Sequence, residues 1–177
     1  MRLPRRALLT GISSLALSGC STAGRQSSTT TKPPDSDGDG VPDHGDDYPN
    51  DDRRAVRKSR ISGSPTLQPG EYSGIALTNS PQAQGDILHY QVSVAGETGV
   101  DCLVFDRENW DAYADGARDV DVVTEYSRTN VTDVSVTLRL DRGEYLFAID
   151  YTSLLTDPCQ DSVEVSHVVE IAEPPPS

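Results

Sequence analysis

Basic residues are scarce in this 177-residue chain: 15 Lys and Arg stand against 28 Asp and Glu, a formal net charge of −13. Three of them, Arg2, Arg5 and Arg6, fall in residues 1–19, which hold no acid; beyond lie 12 basic against 28 acidic residues, a net of −16. That shortage excludes nucleic acid as a partner, because binding phosphates needs clustered Lys and Arg to displace counterions. The acidity suits a very salty medium, where screening weakens repulsion among carboxylates, so a halophilic source is expected. Long apolar runs are also missing, and no stretch reaches the roughly 20 apolar residues of a membrane-spanning helix. Catalytic signatures are missing as well. No two of His44, His89 and His167 stand at a local zinc spacing, there is no G-x-S-x-G, and no glycine-rich phosphate loop follows a strand. The expectation is a protein that is not an enzyme.

What is present begins with an export segment. "RLPRRALLTGISSLALSGC" joins a basic start to a short, modestly apolar stretch broken by Gly11, Ser13 and Ser14. Arg5-Arg6 followed by "ALL" resembles a twin-arginine signal. "LSGC", residues 17–20, resembles a lipobox, which implies a signal peptide over 1–19 and lipidation of Cys20 as the mature N-terminus. Two lipid chains suffice for stable anchoring, so the expected location is outside the cytoplasm, on the outer face of the cell membrane. Residues 21–34, "STAGRQSSTTTKPP", have no hydrophobic period and read, with Cys20, as a flexible linker that could carry O-linked sugar.

A run of alternating aspartates follows, "DSDGDGVPDHGDD" at residues 35–47. Counted from Asp35 as position 1, Asp37 is 3, Asp39 is 5, Gly40 is 6, Val41 is 7, Asp43 is 9 and Asp46 is 12. These are the ligand positions of a twelve-residue calcium loop, with glycine at the sharp turn and a backbone carbonyl at position 7. Calcium is a hard cation that takes six to eight oxygens, and alternate short carboxylates on a curling chain converge on one centre. Asp46 stands where an EF-hand has a bidentate Glu, and "TTTKPP" and "DYPNDDRR" offer no flanking helices. A dockerin would need helices and a second loop. Residues 35–51 instead resemble a thrombospondin type 3 repeat: aspartates around DGDG, then V-P-D, then D-x-x-P. Two departures are that Tyr48 stands where the repeat has cysteine, and that a single copy occurs. One copy without neighbours implies weak calcium binding, in the ~10⁻⁴–10⁻³ M range of extracellular modules. Residues 35–52 are thus expected to form a calcium loop that binding orders without changing the domain beyond. "RRAVRKSR", residues 53–60, reads as an exposed basic linker.

From residue 61 to 172 the pattern is that of strands. "TDVSVTLRL" (132–140) and "ILHYQVSV" (87–94) alternate apolar and polar residues, leaving His89 on a polar face. "EYLFAID" (144–150) is apolar on both faces and should be central. "DCLVFD" (101–106) and "SVEVSHVVEI" (162–171) add two strands, the latter with His167 on its apolar side, and 71–77 and 120–126 are weaker candidates. "RENWDAYADG" (107–116) is the one helical patch, ended by Gly116. The fold expected is all-β, an antiparallel β-sandwich of seven to eight strands with one short helix and a Pro-rich tail at 173–177. Across residues 67–152 the order of a Y-x-V-x-V strand, a strand ending in Asp and an L-x-x-G-x-Y-x-x-x-I/V-D hairpin resembles the bacterial pre-peptidase C-terminal domain family. That resemblance implies a non-catalytic module that assists binding.

Outside the cell, Cys102 and Cys159 form an even pair once Cys20 is lipidated, which suggests a disulfide. Asn130 in "NVT" is a glycosylation sequon, expected in a turn before a strand. The reading that results is a cell-surface lipoprotein with a calcium loop and a sandwich that contacts an envelope protein or polysaccharide. The alternatives are a secreted hydrolase, or an accessory domain of an extracellular enzyme, and a solute-capturing lipoprotein. About 110 residues are few for two lobes around a solute.

Overall fold

The computed structural model describes residues 32–82, 85–158 and 161–176. Among them the chain runs through a single 3-10 turn (Asp43–Gly45), then β1 (Val56–Gly63), β2 (Thr66–Leu67), β3 (Glu71–Ala76), β4 (Ile87–Val94), β5 (Val100–Asp106) and α1 (Arg107–Ala114). It continues with β6 (Arg128–Val131), β7 (Asp133–Arg139), β8 (Tyr145–Tyr151) and β9 (Val163–Glu173). One sheet has the order β1-β9-β4-β7, with β2 also paired to β9; the other has the order β3-β8-β5-β6. Every pairing is antiparallel. The fold is an all-β sandwich of nine strands, two or one more than expected.

The core follows from the period of two. Leu88, Tyr90, Val92 and Val94 of β4 meet Val100, Cys102 and Val104 of β5, Phe147 and Ile149 of β8, and Val165, Val169 and Ile171 of β9. β8 is apolar on both faces because it lies between β3 and β5 and has a second layer outside it. There Leu103, Phe105 and Ala148 are roofed by Tyr113 of α1, with Tyr72 and Trp110 packed alongside. The roof is aromatic: the Phe105 and Tyr113 rings stack at 4.8 Å, and Trp110 meets Phe105 at 5.9 Å. Gly74 of β3 admits Trp110, since a Cβ there would lie 2.4 Å from the indole. The Asp106 side chain caps α1 by accepting the Asn109 N–H at 2.9 Å.

Three sequence expectations are corrected. Residues 53–60 are not a linker, since β1 begins at Val56 and pairs with β9 from Val56–Glu173 to Gly63–His167. The reason is Glu170 of β9, 3% exposed, whose carboxylate pairs with Arg54 (3.0 Å), Arg57 (3.3 Å) and Arg60 (2.6 Å). The sandwich therefore spans residues 56–173 and not 61–172. Residues 120–126 form no strand; the Val123 N–H goes to the Val104 carbonyl, while Val120 and Val122 pack on the aromatic roof. His89 is on the polar face, opposite Thr137 and Glu170, but that face is covered and not wet: the ring is buried, with its Nδ1 2.7 Å from the Thr137 hydroxyl.

Candidate metal centre

The aspartate loop is curled by its own side chains. Asp35 Oδ1 accepts the Gly38 N–H (2.9 Å), Asp37 Oδ1 accepts that of Asp39 (3.2 Å), and Asp39 Oδ1 accepts that of Val41 (2.7 Å). Each aspartate thus turns the chain two or three residues onward, a habit of Asx turns. Gly40 has φ +95°, the left-handed region that side chains resist, which is why glycine stands at position 6. The outcome is convergence: ligand oxygens of Asp35, Asp37 and Asp39 all lie within 4.8 Å of one another. Among the described residues no other group of three His, Cys, Asp or Glu converges in this way.

Asp46 lies outside that group of three but close enough to feel the charges of Asp37 and Asp39. Its Oδ1 accepts the Tyr48 N–H at 2.7 Å, and burial pushes its pKa up, with the charges of Asp39, Asp37 and Asp47 adding to the rise. Asp37 Oδ2, Asp39 Oδ2 and Asp46 Oδ2 are all buried and without a hydrogen-bond partner. Three inward carboxylate oxygens with no donor are costly, and a hard cation is what such an all-oxygen donor set fits. Asp43 has another task. Its two oxygens accept the Ser36 N–H (2.7 Å) and hydroxyl (2.9 Å), and its own N–H goes to the Pro34 carbonyl (2.9 Å). It ties the loop's two limbs together where a ligand was expected. Val41, expected to offer its carbonyl, is half-buried at the turn.

The loop is seated on the sandwich, which the sequence reading missed. Tyr48 is 8% exposed and packs with Ile87 and Ala172. The Arg54 and Arg57 guanidinium groups lie 4.2 and 4.9 Å from its ring centre, and the Arg57 N–H donates to Asp47 at 2.8 Å. Loop and sandwich belong to one compact unit, Pro33–Ser177. Tyr48, a large aromatic directly after the aspartates, was the available signal.

Of the other sites, Cys20 and Cys159 lie outside the described residues. Cys102 is a free thiol, fully buried in β5, and burial pushes it up to about 12, out of reactive range; the expected bridge to Cys159 falls on a residue outside the described ones. Asn130 is exposed, but on β6 and not in a turn, with φ +50°. His44 is exposed in the 3-10 turn, and His167 is buried beside Gly63. Among the described residues no helix is long and apolar enough to cross a membrane.

No protein-family profile and no curated protein sequence matches the chain. Among solved structures, the chain is similar to one described under "Bacillus endospore appendages form a novel family of disulfide-linked pili". That likeness has a TM-score of 0.33 and 10% identity over 68% of this chain and 92% of the other, too distant to bear on what this chain does.

Proposed function

We propose that this chain is a lipid-anchored cell-surface protein in which a calcium loop fixes a non-catalytic β-sandwich to its tether. The observation that carries the reading is the trio of buried, partnerless oxygens on Asp37, Asp39 and Asp46. Asp35, Asp37, Asp39 and Asp46 are the side-chain ligands, Val41 supplies a carbonyl, and Asp43 holds the loop closed. Calcium would exchange carboxylate repulsion for shared coordination, and magnesium, which demands a smaller octahedral shell, would bind worse. The sandwich then meets an envelope protein or polysaccharide. A trough of about 600 Å³ across β1, β9, β4 and β7, lined by Ser62, Ser64, Ser93, Ser135, Ser166 and Asp133, offers hydroxyl-rich surface for such a partner.

Two experiments test the two halves of the reading. Calorimetry on the mature chain should register one weak calcium site at the loop that Asp37→Ala with Asp39→Ala removes. Equal heats for both proteins would reduce the loop to a charged spacer. Cys20→Ser should release the protein into the medium, and persistent membrane attachment would overturn the anchor.

A further inference from the structure

The sequon N-V-T at residues 130–132 has no part in the calcium loop or the sandwich core. Of the four asparagines, Asn50, Asn79, Asn109 and Asn130, only the last has Ser or Thr two residues on. Its side chain is also placed differently. Asn79 is buried and spends its side-chain amide on the Gly143 carbonyl (2.8 Å), and Asn109 gives its own to both oxygens of Asp106 (3.1 Å). Asn130 is exposed, and among the described residues its Nδ2 donates to no acceptor.

The backbone holds that amide outward. Asn130 has φ +50°, in the left-handed region that asparagine tolerates better than most residues, and its N–H donates to Asp101 Oδ1 at 2.6 Å. Gly99 permits the close approach, since a Cβ there would lie 2.4 Å from Asn130 Oδ1 and 2.7 Å from its carbonyl carbon. With Oδ1 against Gly99, the planar amide points Nδ2 away from that contact. β6 is the outermost strand of its sheet, so one side of it has no strand beside it. Its one charged residue, Arg128, folds back onto the Glu125 and Ser127 carbonyls. A hollow of about 410 Å³, lined by Val122, Thr129, Val131 and Leu155 among others, leaves open space along the strand.

We propose that Asn130 is the attachment point of an N-linked oligosaccharide, added to the folded chain outside the cytoplasm. The donor is a sugar chain carried on a lipid phosphate. Asn130 Nδ2 bonds to the first sugar's anomeric carbon as that carbon's bond to the phosphate oxygen breaks; the amide gives up one proton, and the lipid phosphate leaves with the electron pair. The inference rests on the cell-surface reading above, because only an exported chain meets that donor. A twin-arginine signal exports chains already folded, so the acceptor must lie on the folded surface, as Asn130 does. The left-handed backbone by itself accounts for an asparagine at 130 but asks nothing of residue 132. Among the described residues Thr132 contributes only its carbonyl, which accepts the Val94 N–H at 2.8 Å, and the residue is exposed. Its hydroxyl therefore serves the sequon and not the fold.

The test is mass spectrometry of the full mature protein purified from the membranes of its own host. Trypsin releases residues 129–139 as one peptide, which should carry sugar mass that fragmentation localises to Asn130. Thr132→Ser keeps the sequon and should keep the sugar. Thr132→Ala leaves Asn130 and its contacts in place and should lose it. A membrane-bound chain with a bare Asn130 would overturn the site while leaving the anchor standing. Sugar that persists on the peptide in Thr132→Ala would assign it to another linkage and overturn the site equally. A chain retained in the cytoplasm would overturn the cell-surface reading and this inference together.

Discussion

The two aspartate clusters of this protein place the same side chain in opposite settings. In the loop, ligand oxygens of Asp35, Asp37 and Asp39 crowd within 4.8 Å while the residues remain half-exposed. Between the strands, Asp101 and Asp150 are fully enclosed and share four donors. Charge density sets the problem in the first case, and desolvation sets it in the second. Water and screening relieve the loop's outer oxygens but not the inward Oδ2 atoms of Asp37, Asp39 and Asp46, whereas the strand pair is enclosed as a whole and has only its donors. Exposed carboxylates are therefore expected to tolerate substitution, and enclosed ones are not.

The largest contrast comes from removing one member of each cluster. Asp101→Ala strands the Asn130 N–H and the Thr156 hydroxyl and should lower stability by about 3 to 4 kcal/mol in urea unfolding. Asp43→Ala breaks two bonds to Ser36 near water and should cost only about 1 kcal/mol. A reversed order would refute the division between desolvated and solvated sites. Between these lies the joint that links loop to sandwich. Tyr48→Ala removes the contact with Ile87 and Ala172 and should cost about 2 to 3 kcal/mol. It should also separate the two parts, leaving calcium heats intact while any calcium-induced gain in sandwich stability disappears. A variant that retains that gain would mean the coupling runs elsewhere.

The smallest effect is one of pH. Burial lowers the pKa of His89, with Arg54 adding to it, and burial lowers that of His167. The folded chain holds both neutral, whereas the unfolded chain takes up protons near the ordinary value of about 6.5. Stability should be complete above that value and decline as pH falls below it. Replacing both histidines with Gln should flatten the profile between about pH 7 and pH 5. An unchanged slope would assign the acid sensitivity to carboxylates.

The same contrast explains what could be read from the sequence. The convergence of Asp35, Asp37 and Asp39 was legible because alternate aspartates sit at fixed spacings within thirteen residues, where local geometry decides. The alternating strands β4 and β7 and the two-faced β8 were legible for a similar reason, since each pattern is complete within itself. β1 was not. Its arginines resemble a solvated linker until Glu170, 110 residues past Arg60, is placed opposite them. Residues 120–126 alternate as a strand does, yet the aromatic roof built on α1 takes Val120 and Val122 instead. The Asp101–Asp150 pair needed the register of β5 against β8, which no local pattern carries. One hint was there: both acids stand in otherwise apolar strands, "VDCLVFD" and "YLFAIDY".

The central claim is that the aspartate loop binds calcium and is part of the same folded unit as the sandwich. Thermal unfolding of the mature chain, followed through the aromatic signal of the sandwich across a calcium titration, tests both at once. With a dissociation constant of ~10⁻⁴–10⁻³ M, about 10 mM calcium should add roughly 1.4 to 2.7 kcal/mol and raise Tm, and Asp37→Ala with Asp39→Ala should abolish that rise. A midpoint that does not move with calcium, or that moves equally in the double variant, would contradict the account.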